Sequence, residues 1–135
     1  MEFSGKTAFV TGGASGIGLE IGRHLMELGA NIMLADRDVE GLAAAKADLG
    51  RVETIVCDVA DATSVQAAAD ATIRQFGKVH IVVNNAGVSL AGAAGQMPLK
   101  DWRWIVDINL MGVVHGVEIF TPIMQAQGEG GYFIN

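Results

Sequence analysis

The sequence has little of what several protein classes require. Its one cysteine, Cys57, excludes an intrachain disulfide and is typical of a reducing compartment, so we expect a cytoplasmic protein. Lys and Arg number only nine, against a net charge of −6, and they do not cluster. Nucleic-acid binding is not expected, because phosphate contacts need grouped cations. The three histidines, His24, His80 and His115, lack metal-ligand spacing, and no metal site is predicted.

Long uninterrupted apolar runs are also lacking. The most apolar segment, residues 102–120, is broken by charged and polar residues, which predicts a buried helix and no membrane span. The first residues do not resemble a secretory signal. This helix is expected to run from Lys100 or Asp101 to about Gln125, with Pro98 just before it. Pro122 predicts a kink or an early stop.

Glycine is abundant: 18 of 135 residues, about twice the usual share of roughly 7%. Half of the residues are hydrophobic, so a single domain with a core is expected. Short apolar runs with little polar alternation are typical of parallel strands buried on both faces. Five such runs predict strands at Thr7–Thr11, Ile32–Asp36, Thr54–Asp58, Val79–Asn84 and Tyr132–Asn135.

Between these runs, apolar residues recur at helical spacings of three and four. The first helix is expected to bury one face formed by Ile17, Ile21, Leu25 and Leu28. Two further faces are predicted, one of Val39, Leu42, Ala45 and Leu49 and the other of Val65, Ala69, Ile73 and Phe76. Gly29, Gly50 and Gly77 are predicted to end these helices, with Asp38 and either Asp61 or Thr63 as N-caps. The alternation predicts an α/β, doubly wound parallel sheet (a Rossmann fold) with strand order 3-2-1-4-5.

A glycine-rich segment, Thr11–Gly18, lies where the first strand should lead into the first helix. A bound pyrophosphate there must approach the backbone closely and meet free N–H groups at the positive end of the helix. Glycine permits that approach, although the spacing Gly-x-x-x-Gly-x-Gly departs from the common Gly-x-Gly-x-x-Gly. A plain tight turn is the alternative. The predicted dinucleotide-binding residues of this segment are Thr11, Gly12, Ser15, Gly16, Ile17 and Gly18.

Asp36 ends the second predicted strand, 18 residues after Gly18. A carboxylate there can accept hydrogen bonds from the hydroxyls of the adenosine ribose, and it would repel a 2′-phosphate. This favours NAD over NADP as the cofactor. Arg37 is a complication, since an arginine could accommodate that phosphate. A strand-end polar residue without a ligand role is the alternative for Asp36.

Four features in order make the sequence resemble the short-chain dehydrogenase/reductase family in its compact form. They are Thr11–Gly18, the pair Asp58-Val59, the segment Asn84–Gly87, and Asn109 within Asn-Leu-Met-Gly. The resemblance covers the whole chain and implies that Asp58 and Val59 contact the adenine ring. It also implies that Asn85, Ala86 and Gly87 line the cofactor.

Asn109 is the one catalytic candidate in the chain. The resemblance implies that it helps to hold a water for proton relay. An asparagine within an apolar helix is costly unless its amide finds partners, so a buried structural role is the alternative. Asp58 could likewise begin a turn, and Asn84–Gly87 could be an ordinary loop.

The resemblance also implies a catalytic serine, tyrosine and lysine that this chain lacks. Tyr132 is the only tyrosine, lies in the fifth predicted strand and has no lysine after it. We therefore expect residues 1–135 to be an incomplete NAD(P)-binding domain, cut after the fifth strand and inactive alone.

The parent protein is expected to be an NAD-dependent oxidoreductase that transfers a hydride between the cofactor and a small alcohol or carbonyl substrate. The alternative is a non-catalytic dinucleotide-binding or dimerising module. A different nucleotide-using Rossmann enzyme, such as a methyltransferase, is a third hypothesis. A homodimer or homotetramer is expected, as the resemblance implies.

Overall fold

The computed structural model describes residues 3–135 and contains one parallel sheet of five strands in the order β3-β2-β1-β4-β5. Every neighbouring pair of strands is parallel. The strands are β1 Thr7–Thr11, β2 Asn31–Asp36, β3 Val52–Val56, β4 Ile81–Val83 and β5 Tyr132–Ile134. The α-helices are α1 Gly16–Glu27, α2 Val39–Leu49, α3 Ala62–Phe76, α4 Leu99–Val106 and α5 Gly112–Gln127. The doubly wound α/β fold and its strand order are therefore confirmed.

The core forms two layers, one on each face of the sheet. Residues of α1 and α2 pack on one face, around Val10 and Leu34. Residues of α3 and α5 pack on the other, where the rings of Phe9 and Phe120 lie 4.7 Å apart between centroids. The central strands β1 and β4 are wholly buried. The edge strands β3 and β5 are partly exposed, so the prediction that all strands are buried on both faces is wrong for β3 and β5.

The predicted buried face of α1 is wrong in part. The residues that the sheet buries are Gly18, Gly22 and Met26, with Ile21 and Leu25 packed beside them. Ile17 is 74% exposed. Glycine lets the helix approach the sheet closely, since a Cβ on Gly22 would lie 2.7 Å from Cδ2 of Leu34.

The predicted helix ends are confirmed. Asp38 caps α2 by accepting from Gly41 N at 2.9 Å, and Asp61 caps α3 by accepting from Thr63 N at 2.9 Å. Each of the first three helices is followed by a glycine with positive φ. These left-handed residues close the last turn without a Cβ clash.

The last helical segment is longer than predicted and continuous from residue 99 to 127. A π-helical turn, Asp107–Met111, joins α4 to α5, which no sequence pattern indicated. Pro122 lies inside α5, so the early stop was wrong. No residue of α4 is buried, whereas Phe120 and Met124 of α5 are, so only the second half is a buried helix. By length and composition alone, the 99–127 segment is apolar enough to cross a membrane.

Candidate functional site

A groove of about 410 Å³ lies at the carboxyl edge of the sheet, where the chain leaves β1, β2, β3 and β4. Parallel sheets bind ligands at this edge, next to the point where the strand order reverses. Here that point is between β1 and β4. The groove is lined by Gly12, Ser15, Ile17, Asp36, Arg37, Cys57, Asp58, Val59, Asn85, Ala86, Gly87, Val88, Trp104 and Ile108.

The turn from β1 to α1 forms one wall, as the sequence predicted. Gly12 and Gly16 have φ of +65° and +56°, a conformation that side chains disfavour. A Cβ on Gly12 would lie 2.8 Å from Nδ2 of Asn85, and one on Gly18 would overlap the carbonyl oxygen of Gly12. Gly12 and Gly18 are therefore both required for the turn to pack against the loop after β4.

This turn presents unpaired backbone N–H groups. The N–H of Gly13 donates to Ala35 O at 3.1 Å, and that of Ala14 donates to Oδ2 of Asp36 at 3.1 Å. Within residues 3–135, the next four N–H groups, of residues 15–18, donate to no protein acceptor. They belong to the first turn of α1, where the helix dipole is positive. The arrangement can bind an anionic group.

The Thr11 side chain joins this turn to the loop after β4. Its hydroxyl accepts from the backbone N–H groups of Asn85 and Ala86, both at 3.0 Å, and donates to Val83 O at 3.3 Å. The Asn85 side chain in turn donates from Nδ2 to Thr11 O at 3.0 Å. Thr11 itself is buried below the groove and does not line it.

Asp36 stands at the end of β2 with its carboxylate at the groove. One oxygen accepts from Ala14 N, and the other accepts from Asp38 N at 3.0 Å. These two bonds orient the carboxylate, and each oxygen keeps a lone pair that can accept from a ligand hydroxyl. Arg37 is exposed and lines the same groove.

The loop after β3 forms the next part of the wall. Asp58 accepts from Ala60 N at 3.0 Å through Oδ1, and its own N–H donates to Oγ of Ser64 at 2.9 Å. Asp58 thus does begin a turn, and it also lines the groove. Val59 is buried. Burial raises the pKa of the Cys57 thiol, which disfavours the reactive thiolate.

Asn109 lies in the π-helical turn and pairs fully with one residue of the loop after β4. Its Oδ1 accepts from Val88 N, and its Nδ2 donates to Val88 O, both at 2.8 Å. The residue is exposed, so the expected cost of burial does not arise, yet its amide has the partners that the sequence argument required. Asn109 therefore holds Val88 in place at the groove.

Most of the residues predicted to bind a cofactor come together in the groove. Four of the predicted site residues do not line it: Thr11, Gly16, Gly18 and Asn109. They contribute the turn's shape and the position of the neighbouring loop. Three lining residues were missed by the sequence analysis: Cys57, Trp104 and Ile108. The spacing of four between Trp104 and Ile108 is the signal that could have found the last two.

A second polar cluster lies at the opposite, amino edge of the sheet. The carboxylate of Glu129 contacts Lys78, lies 3.7 Å from Nζ of Lys6, and meets Nε2 of His80 at 2.9 Å. Nδ1 of His80 accepts from Thr7 N at 3.1 Å, so Nε2 carries the proton and donates to Glu129. Hydrogen bonds from Lys78 and His80 lower the pKa of Glu129 to about 2. Among residues 3–135 no group of His, Cys, Asp and Glu side chains could hold a metal ion.

Comparison with known proteins identifies the family. The short chain dehydrogenase family matches residues 6–135. D-threitol dehydrogenase of Mycolicibacterium smegmatis is 46% identical over 138 residues, covering 99% of this chain and 53% of that protein. The oxidoreductase SadH of Mycobacterium tuberculosis is 40% identical over 133 residues, covering 96% of this chain and 48% of that protein.

The fold comparison agrees. The crystal structure of a short chain dehydrogenase/reductase from Burkholderia phymatum in complex with NAD superposes with a TM-score of 0.95 at 40% identity. It covers 98% of this chain and 49% of that one. The chain thus spans about half the length of the relatives it matches. By sequence, sheet order and groove together, this chain belongs to the short-chain dehydrogenase/reductase family.

Proposed function

We propose that the protein containing this chain is an NAD-dependent oxidoreductase acting on a small alcohol or carbonyl compound. One observation carries the proposal: the start of α1, where N–H groups have no acceptor among residues 3–135, and the Asp36 carboxylate border the same groove. A diphosphate and a ribose need these two kinds of partner a short distance apart. A relative that is 40% identical was crystallised with NAD, which supports this cofactor.

The diphosphate is proposed to bind at the turn between β1 and α1. The N–H groups of residues 15–18 have no acceptor within the described range 3–135, and Gly12, Ser15 and Ile17 line the groove beside them. Gly16 serves through its positive φ, and Gly18 serves by letting α1 pack closely against the backbone of Gly12. Donors preorganised in this way bind a dianionic group without rearrangement of the loop.

The adenosine is proposed to bind beside β2 and β3. Asp36 would accept from the ribose hydroxyls through its remaining lone pairs, while Asp58 and Val59 border the adenine. A 2′-phosphate would face a carboxylate that two backbone bonds hold in place, which supports NAD over NADP. Arg37 is exposed and could approach such a phosphate, so selectivity must be measured.

The nicotinamide half is proposed to follow the loop after β4, along Asn85, Ala86 and Gly87. Bound there, the cofactor supplies hydride transfer. Asn109, in the π-helical turn, holds the Val88 backbone through two hydrogen bonds. As a catalytic residue, Asn109 would act together with groups outside residues 1–135. We propose that these residues are the cofactor-binding part of a larger catalytic domain. The groups that exchange a proton with the substrate belong to its other part.

The cofactor proposal is tested with NAD and NADP titrated into the full-length protein by calorimetry. Asp36→Ala should lower NAD affinity by about tenfold or more, as expected for loss of charged hydrogen bonds. It should also raise the affinity for NADP. Asp48→Ala is the matched control, because Asp48 lies in α2 and pairs with Arg23 away from the groove. An increase in NADP affinity cannot come from a merely loosened turn. Unchanged selectivity would show that Asp36 does not face the ribose.

Catalysis is tested separately from binding. The full-length protein should show NAD-dependent turnover on a panel of alcohols. NAD binding without any turnover would instead favour the non-catalytic module.

We also propose a cytoplasmic homodimer or homotetramer. The face of the 99–127 segment turned away from the sheet exposes Val106, Leu110 and Val114, at spacings of four. Apolar rows of this kind are typical of subunit contacts. Leu110→Glu should therefore shift the sedimentation coefficient of the full-length protein toward a smaller species.

A further inference from the structure

One aromatic side chain lines the groove without any role assigned so far. The sequence has two tryptophans, Trp102 and Trp104, both in α4. Trp104 lines the groove, and Trp102 does not. Trp104 is 41% exposed, so this large apolar ring is left partly uncovered beside the polar residues of the groove.

The position of Trp104 follows from a row of residues that faces the sheet. At spacings of four after it come Ile108, Gly112 and Gly116, all of which are buried. A Cβ on Gly112 would lie 2.8 Å from Cγ2 of Val59, so the helix touches the loop after β3 there. Trp104 is the first member of this row, and it lines the groove together with Ile108.

Two sides of this helix contact two different loops that line the groove. Gly112, in the row of Trp104, contacts Val59, which belongs to the wall with Asp58. Asn109, on the neighbouring side of the helix, bonds to Val88 in the loop after β4. Trp104 therefore belongs with the wall that Asp36 and Asp58 form.

We infer that Trp104 is an adenine-binding residue whose indole face stacks on the purine of the dinucleotide. The inference rests on the proposed function and adds a residue to it. An indole offers a flat, polarisable face, which binds a purine ring by stacking and by excluding water. The carboxylates of Asp36 and Asp58 orient the ribose and the base edge but offer no apolar surface to the ring.

The test compares the two tryptophans in the full-length protein. NAD, ADP-ribose and nicotinamide mononucleotide are titrated by calorimetry into the unmodified protein, Trp104→Leu, Trp104→Phe and Trp102→Leu. Trp104→Leu should lower the affinity for NAD and for ADP-ribose by about tenfold, as expected for loss of one base–aromatic stack. Trp104→Phe should lose less of this affinity, because a smaller aromatic face remains to stack on the purine. Trp102→Leu should bind both ligands as the unmodified protein does, and the mononucleotide should be insensitive to all three changes.

A second measurement needs no change at Trp104. In Trp102→Phe, Trp104 is the only tryptophan of the present chain, and ADP-ribose should quench its fluorescence. If Trp104→Leu fails to fold, this quenching decides alone, and its absence overturns the inference. Equal ADP-ribose affinity of Trp104→Leu and Trp102→Leu would also overturn it, as would a loss confined to the mononucleotide. Failure of the unmodified protein to bind NAD would instead reject the proposed function.

Discussion

The two edges of the sheet hold polar groups in opposite ways. At the amino edge, Glu129 is surrounded by Lys6, Lys78 and His80, and these groups satisfy one another. At the carboxyl edge, the protein's own bonds orient the Asp36 carboxylate and leave lone pairs free. The N–H groups of residues 15–18 there have no acceptor in the described part of the chain, residues 3–135. A ligand can bind where folding orients polar groups but leaves some of their hydrogen-bonding positions without a protein partner. Charge alone is a poor guide, because the more charged cluster is at the other edge.

The largest expected effect comes from adding one methyl group at the turn between β1 and α1, at the carboxyl edge. In Gly18→Ala the new Cβ would overlap the carbonyl oxygen of Gly12, which is backbone and cannot move away cheaply. We expect NAD binding to be lost and unfolding free energy to fall by about 3 kcal/mol. Calorimetry and urea denaturation would measure the two effects.

Gly50→Ala is the matched control for that change. Gly50, unlike Gly18, has positive φ, of 71°, but its Cβ would meet open space at the end of α2. It should cost about 1 kcal/mol of stability and leave NAD affinity unchanged. If both alanine variants bind NAD normally, the turn is not the diphosphate site.

A smaller effect is expected from Thr11→Val, which keeps the shape and removes the hydroxyl. The backbone N–H groups of Asn85 and Ala86 and the carbonyl of Val83 would lose their buried partner. We expect a loss of about 2 kcal/mol in stability, measured by denaturation, and weaker NAD binding. Thr11→Ser keeps the hydroxyl and should retain most of the stability and most of the NAD affinity. Equal behaviour of the valine and serine variants would show that these bonds do not organise the groove.

Asn109→Ala should affect turnover more than stability. It removes both bonds to Val88, at a cost of about 1 kcal/mol in unfolding free energy because the site is exposed. The kcat/KM of the full-length protein in the proposed reaction should fall by up to about a hundredfold, since small misplacements near the reacting atoms are costly. Asn109→Asp keeps an acceptor for Val88 N and should retain more activity. A kcat/KM unaffected by either change would remove Asn109 from the site.

The smallest effect is expected at the amino edge, in Glu129→Gln. The pKa of Glu129 in the folded chain, about 2, lies below its ordinary value of 4.5, so ionised Glu129 favours the folded state above pH 4.5. That contribution disappears as the pH falls from 4.5 toward 2. Glu129→Gln should therefore lower Tm slightly at neutral pH, converge with the unmodified protein in acid, and leave NAD affinity unchanged.

Glu118→Gln is its control, since Glu118 has no ion pair among residues 3–135. Differential scanning calorimetry at several pH values makes the comparison. A Tm difference for Glu129→Gln that persists at pH 2, or one matched by the control, would contradict the assignment.

Local signals in the sequence predicted the frame of this site well. The turn of Thr11–Gly18 could be placed between a strand and a helix because glycine and apolar periodicity act over neighbouring residues. The same holds for Asp38 and Asp61, whose carboxylates cap helices through N–H groups two or three residues away. Contacts between residues close together in the sequence leave a recognisable sequence pattern, as this turn and these two helix caps show.

Contacts of long range left weaker patterns. Spacing alone placed Ile17 on the buried face of α1, whereas the sheet accepts the glycine face because it lets the backbones approach. The partner of Asn109 is 21 residues away and could not be inferred from its apolar surroundings. Trp104 likewise lines the groove beside residues that are far away in the sequence, such as Asp36 and Asp58.

The sequence by itself determined the order of strands and helices, the open turn at the first junction and the family. These depend on backbone conformation and on side-chain periodicity, both of which are local. Only the tertiary structure decided which N–H groups stay free, which of the two tryptophans reaches the groove and which charged groups neutralise one another. Each of these depends on a distance between residues far apart in the chain, and such distances are set when the whole sheet and its helices pack together.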